Sequence, residues 1–269
     1  MCKHQVTATA GTIFEKTRIE LRVWFAVIWF ITSHKHAASA LCLQRILGLG
    51  SYQTAWAILH RLRRAMVRPY RDLLEGVVEV DETFLALTQG DNPRSALERK
   101  SGTDKVVVVI AVEMPSLIGF GRIRIEQVRC GDNANLIPFI KSAVLAGSLI
   151  HIDGSRSYSR LEKTGFKHQQ SVHDGSSVPP HESMPGVHRV AALLQRRLLG
   201  THQAAVQPEQ LASYLDEFVF CFNRRTSHLR GLLFYRLLEQ AVMTKPVTYR
   251  DIDDLPKKTA KTTPVELKG

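Results

Sequence analysis

The chain has 269 residues, 44% hydrophobic and 23% charged, which excludes a disordered or collagen-like polypeptide and suits one large or two smaller globular domains. A total of 36 Lys and Arg against 25 Asp and Glu leaves a net charge of +11, an excess that favours a polyanionic partner, nucleic acid being the commonest. The four cysteines, Cys2, Cys42, Cys130 and Cys221, form no C-x-x-C pair, so no complete zinc site and no disulfide framework is expected, and a reducing cytoplasm fits.

Thr17 to Ile31 is apolar nearly all round and predicts a core helix. Its most apolar run, Val23 to Ile31, is too short for a bilayer, which needs about 20 such residues, and no membrane partner is expected. A helix from Ser39 to Leu47, the turn Gly48-Leu49-Gly50 and a helix from Ser51 to Met66 follow, with Ser51 as N-cap. This order matches a helix-turn-helix, whose second helix enters the DNA major groove. Tyr52, Gln53 and Thr54 at its start would face base edges, and Arg61, Arg63 and Arg64 at its end would hold phosphates. A plain helical hairpin with a solvated basic face is the alternative. Pro69 marks a boundary.

From Gly76 the periodicity changes. Val77 to Thr83 reads as a strand, and the β-branched run from Lys105 to Glu113 as a central strand buried on both faces. After a turn at Gly119-Phe120-Gly121, Arg122 to Val128 alternates as a half-exposed strand does. A helix over Asn135 to Leu145 and a strand over Ser148 to Asp153 complete a β-β-β-α-β order. That order suits an α/β sheet of the ribonuclease H-like type, in which the first strand lies beside the strand after the helix. His173 to Gly186 reads as a loop. Helices are expected from about Val187 to Leu199, Pro208 to Asn223 and Gly231 to Met243, and a loosely ordered tail from Thr244.

Two strands thus end in a carboxylate, Asp81 and Asp153, and the sheet order would make them neighbours. A buried-strand carboxylate needs a partner to offset desolvation, and paired carboxylates are the minimum for holding Mg²⁺ or Mn²⁺ for phosphoryl transfer. A third ligand would come from the late helix: His188 at its start, or Glu182 in the loop before it. Position 195, two turns from His188 on the same face, is Gln195, followed by Arg196; a basic residue there would hold DNA phosphate.

Further pieces run nearly end to end: Ala10 to Arg18, Leu47 to Trp56, Val78 to Thr83, His151 to Gly154 with Tyr158, Leu198 to His202, Tyr214 to Phe218, and Phe222-Asn223-Arg224-Arg225. In their order and spacing the chain resembles the DDE-type insertion-sequence transposases of the insertion-sequence-1595 family. The resemblance implies a ribonuclease H-like catalytic domain over 76–243, preceded by a helical DNA-binding region over 1–75 and followed by a tail over 244–269. It implies Mg²⁺- or Mn²⁺-dependent cleavage and strand transfer on double-stranded DNA, at transposon inverted repeats and a target, by a homodimer or larger synaptic assembly in the bacterial nucleoid. Asp81 and Asp153 match the first two catalytic residues, and the third, Glu or Asn in many members, falls at or near His188. Arg224 and Arg225 join the expected DNA contacts. Relatives usually begin with a zinc ribbon; here residues 1–10 read as its remnant with Cys2 alone, so no zinc is expected. With Gln195 where a Lys is common, a remnant that binds DNA without cutting it is the alternative function.

Overall fold

A computed structural model describes residues 7–34, 38–68, 70–87, 105–115, 119–153, 165–171, 183–203 and 206–253. In chain order the elements are α1 (Leu21–Ser33), α2 (Ala40–Leu47), α3 (Tyr52–Ala65), β1 (Val77–Ala86), β2 (Lys105–Met114), β3 (Ile123–Val128), α4 (Asn133–Ala143), β4 (Leu149–Asp153), β5 (Lys167–Ser171), α5 (Pro185–His202), α6 (Leu211–Phe222), α7 (Arg230–Met243) and α8 (Tyr249–Asp253). They fall into two units, residues 1–68 with 228–269, and residues 69–227.

The first unit is helical. In α1 the stripe Trp24, Val27, Ile28, Ile31 and Thr32 is buried, while Trp29 is 51% exposed, so the helix is amphipathic rather than enclosed. It starts at Leu21, not Thr17, because the Thr17 hydroxyl turns back to accept the Trp24 indole N–H (3.1 Å) and the Ile19 N–H (3.1 Å). Ser39 and Ser51 cap α2 and α3, accepting from the N–H groups of Cys42 and Thr54, both at 3.1 Å. Between them Gly48 takes the left-handed conformation (φ 63°) that ends α2.

α7 belongs to this unit and not, as expected, to the region 76–243. Its Phe234 meets Phe25 and Trp29 of α1, each with ring centroids 6.3 Å apart. The expected loose tail is likewise corrected at its start: Ile252 of α8 is fully buried, and Tyr249 lies 5.8 Å from the Trp56 ring. Residues 254–269 lie outside the described residues, as does Cys2.

The second unit is built on a five-stranded sheet of order β3-β2-β1-β4-β5. β1, β2 and β3 pair antiparallel, while β1–β4 and β4–β5 are parallel. The expected β-β-β-α-β order holds, and with it the ribonuclease H-like strand arrangement that sets β1 beside β4. β5 is an addition: Lys167-His168-Gln169-Gln170-Ser171 has no apolar alternation to announce a strand.

The sheet is covered on both faces. Val78, Val80, Val109, Ala111, Ile150 and Ile152 pack on Leu136, Phe139 and Ile140 of α4. Val108, Ile110, Val112 and Ile123 pack on Val187, Val190 and Leu194 of α5 and on Leu215, Phe218 and Phe222 of α6. The β2 run is therefore buried on both sides, as its unbroken β-branched sequence predicts.

Candidate active site

Strand alternation sorts the residues of β1. Val78 and Val80 enter the core under α4, so Glu79 and Asp81 lie on the opposite face, toward α5. Asp81 is half-buried, and its Oδ1 accepts the N–H of Glu82 at 2.8 Å. The parallel pairing of β1 with β4 runs from Val77–Leu149 to Val80–Ile152, and the next position on each strand is Asp81 and Asp153. Asp153 is also the residue of β4 that pairs with Ser171 of β5. The two carboxylate positions are thus adjacent in register although 153 − 81 = 72 residues separate them. The side chain of Asp153 and the whole of Glu182 lie outside the described residues.

Glu79 ties this face to the late helix. It is only 3% exposed, and its Oε2 accepts the backbone N–H of Val187 at 3.0 Å. The N–H of Gly186 also bonds to its carboxylate. α5 begins with Pro185 and has no side-chain cap of its own at Met184, so the carboxylate of another element satisfies its first free N–H groups. A Cβ on Gly186 would stand 2.8 Å from Glu79 Oε2 and 2.6 Å from Met114 Sδ, so a larger residue there would have to displace one of those side chains. Burial pushes the Glu79 carboxyl up; the two N–H groups and the nearby His188 pull it down, and Asp81 repels it, leaving it above the ordinary carboxylate value.

His188 is half-buried in the first turn of α5, near enough to Glu79 for its charge to be felt there. β1 and β4 thus set Asp81 beside the Asp153 position, and α5 carries His188 on the sheet face that Asp81 shares with Glu79. Among the described residues no group of three metal-ligating side chains stands complete. The donor set suits a hard divalent cation nonetheless. Asp81 supplies a half-buried carboxylate on this face, and carboxylate oxygens are the ligands that Mg²⁺ and Mn²⁺ take.

Beyond His188, α5 presents Arg189, Gln195 and Arg196 to solvent. Arg197 turns inward: it donates to Glu217 Oε1 at 2.7 Å and lies 5.7 Å from the Phe218 ring, clamping α5 to α6.

Three expected DNA contacts bond within the protein, and one of them, Arg63, is too buried to reach DNA. Arg63 is 1% exposed and bonds His60 Nε2 at 3.1 Å, so burial removes it from phosphate contact. Arg225 donates to the carbonyls of Phe120, Gly121 and Phe222 and stacks on the Phe222 ring. Arg224 donates to the Phe220 carbonyl and lies 4.0 Å from that ring. Just before them, Asn223 accepts the N–H of Ile123 (2.7 Å) and donates to its carbonyl (3.1 Å), taking the place of a neighbouring strand at the β3 edge. In α3, Tyr52 and Gln53 are exposed, and Thr54, Arg61 and Arg64 are half-buried.

Glu79 is the residue that sequence reasoning missed. Its signal was the pattern Val78-Glu79-Val80: an acid between two core positions has to find donors.

The family described as the ISXO2-like transposase domain matches residues 73–223. An uncharacterized protein in the transposable element ISH50 of Halobacterium salinarum is 25% identical over 228 residues, covering 81% of this chain and 74% of that one. Among solved structures, the catalytic core domain of BIV integrase is similar at 13% identity and a TM-score of 0.38, over 61% of this chain and 97% of that one. A chain of the simian T-cell lymphotropic virus intasome is similar at 14% identity and a TM-score of 0.37, over 77% and 74%.

Proposed function

The chain belongs to the family of the ISXO2-like transposase domain, and from that membership we propose that it cuts and joins double-stranded DNA at the ends of its own insertion sequence in a divalent-metal-dependent reaction. One observation carries the reading: Asp81 and Asp153 occupy adjacent register positions on parallel strands, on a sheet whose Asp81 face bears the helix of His188. Asp81, Asp153 and His188 would hold Mg²⁺ or Mn²⁺. When bound, such an ion supplies charge neutralisation and activation of water or a 3′-hydroxyl for in-line attack at phosphorus. The chain's own groups orient the DNA. Arg189 and Arg196, with Gln195, form the exposed face of α5 beyond His188 and would hold the phosphates flanking the scissile one.

The helices α2 and α3 would read the transposon end, with Tyr52, Gln53 and Thr54 toward base edges and Arg61 and Arg64 toward phosphates. Two ends must be cut together, so a homodimer or larger assembly in the nucleoid is part of the proposal.

The test is cleavage of a labelled inverted-repeat duplex by the full chain with Mg²⁺ or Mn²⁺. Cleavage that disappears in both Asp81→Asn and Asp153→Asn supports the reading; cleavage unchanged in both sinks it.

A second reading has an observation of its own: His188 and Gln195 stand where the resemblance expects Glu or Asn and then Lys. On this reading the chain binds transposon ends without cutting them. Gln195→Lys separates the two, since gained cleavage argues for a weakened enzyme and continued silence, with DNA binding intact, for a binding protein.

A further inference from the structure

We infer that Glu79 is a positioning residue, holding the first turn of α5, which carries His188, against the strand face of Asp81; the inference rests on the metal-dependent reading above. The observations are independent of that reading. A nearly enclosed carboxylate receives the N–H of Val187, the residue before His188, at 3.0 Å, and that of Gly186. α5 has no cap of its own, and its first residue is a proline, which has no N–H to give. The Glu79 carboxylate therefore caps the start of the helix.

The packing beneath is equally tight. Gly186 sits on Met114 Sδ and Val112 Cγ1 as well as on Glu79, at 2.6 Å and 3.2 Å from where a Cβ would be. The helix end can neither drop closer to the sheet nor lift from it without losing the carboxylate's bonds. Since Glu79 and Asp81 are two residues apart on one strand face, the strand's own repeat sets the spacing between the helix anchor and the carboxylate it serves. The Oε2 is engaged by Val187, so Glu79 contacts the helix, and the role assigned to it is to position that helix.

The test uses the full chain with labelled amides and histidine rings, His188 being assigned with His188→Gln. Mn²⁺ is the probe, and two quantities are read: hydrogen exchange at the Val187 amide, and the Mn²⁺ concentration that broadens the His188 ring signal. Glu79→Gln keeps an acceptor oxygen and should stay within about threefold of wild type in both, whereas Glu79→Ala should need at least about tenfold more Mn²⁺ and lose Val187 protection, the range seen for groups that orient metal ligands. Gly186→Ala, whose Cβ would press on Glu79 Oε2 and Met114 Sδ and push the same helix end off the sheet, should raise the Mn²⁺ requirement too and serves if Glu79→Ala does not fold.

Wild-type Mn²⁺ response in Glu79→Ala or Gly186→Ala overturns the inference. So does Glu79→Gln failing as badly as Glu79→Ala, which would make the charge a ligand. If the wild-type His188 signal ignores Mn²⁺, or Asp81→Asn leaves its broadening unchanged, the metal reading itself falls, a failure distinct from those of the Glu79 variants alone.

Discussion

At the scale of residues, the proposed chemistry rests on two carboxylates whose substitution by amides changes charge but hardly changes shape. Asp81→Asn or Asp153→Asn removes several kcal/mol of metal-borne stabilisation. That corresponds to a loss of at least about 10²-fold in cleavage rate, with an unchanged melting temperature as the control. His188 adds a nitrogen donor, which Mn²⁺ accepts more readily than Mg²⁺, so cleavage should be faster with Mn²⁺. A second residue-scale prediction concerns Glu113. Burial alone would push its carboxyl up, but the Arg122 side chain and the N–H groups of Glu75 and Arg122 outweigh that and hold it below its ordinary 4.5. A depressed acid contributes stability that is full above the unfolded value and is lost as pH falls through the folded one. Urea melts taken below about pH 4.5 should therefore show a shallower acid loss in Glu113→Gln than in wild type. The adjacent register of Asp81 and Asp153 was legible in the β-β-β-α-β order, but β1 runs on to Ala86, so Asp81 lies within its strand and not, as expected, at its end. The roles of Arg63, Arg224 and Arg225 were not legible, because a guanidinium beside DNA and one braced on carbonyls look alike without the partners.

At the scale of elements, α5 carries the site and two anchors hold it: Glu79 at its start and the Arg197–Glu217 pair further along. The Arg197 and Glu217 side chains are 13% and 2% exposed, so removing one partner strands a buried charge. Arg197→Met or Glu217→Leu alone should destabilise by roughly 3–5 kcal/mol, while the double variant recovers most of that loss, as a double-mutant cycle in urea would read. The strands β1 to β4 and the helices between and after them follow from β-branched runs, alternation and caps such as Ser51, which act locally. β5 and the place of α7 do not. A polar edge strand is recruited by the free edge of β4, and α7 is assigned to its unit by Phe25 and Trp29, about 200 residues earlier in the chain.

At the scale of the whole molecule, the net charge of +11 is the feature that bears on partners. Among the described residues no helix is long and apolar enough to cross a membrane. Binding to a duplex carrying the inverted repeat should weaken steeply with salt, each lost phosphate contact reducing the slope of log K against log salt by about 0.9. Arg64→Ala and Arg196→Ala should each show such a step, and Arg63→Ala, which lies inside the fold, should lower stability instead. The central claim is that the adjacent positions of Asp81 and Asp153 form one metal site with His188. Its most direct test is a crystal of the full chain soaked in Mn²⁺ and measured for anomalous scattering. The account predicts a peak shared by the Asp81 and Asp153 carboxylates and within reach of the His188 ring. Mn²⁺ bound elsewhere while that position stays empty would contradict it.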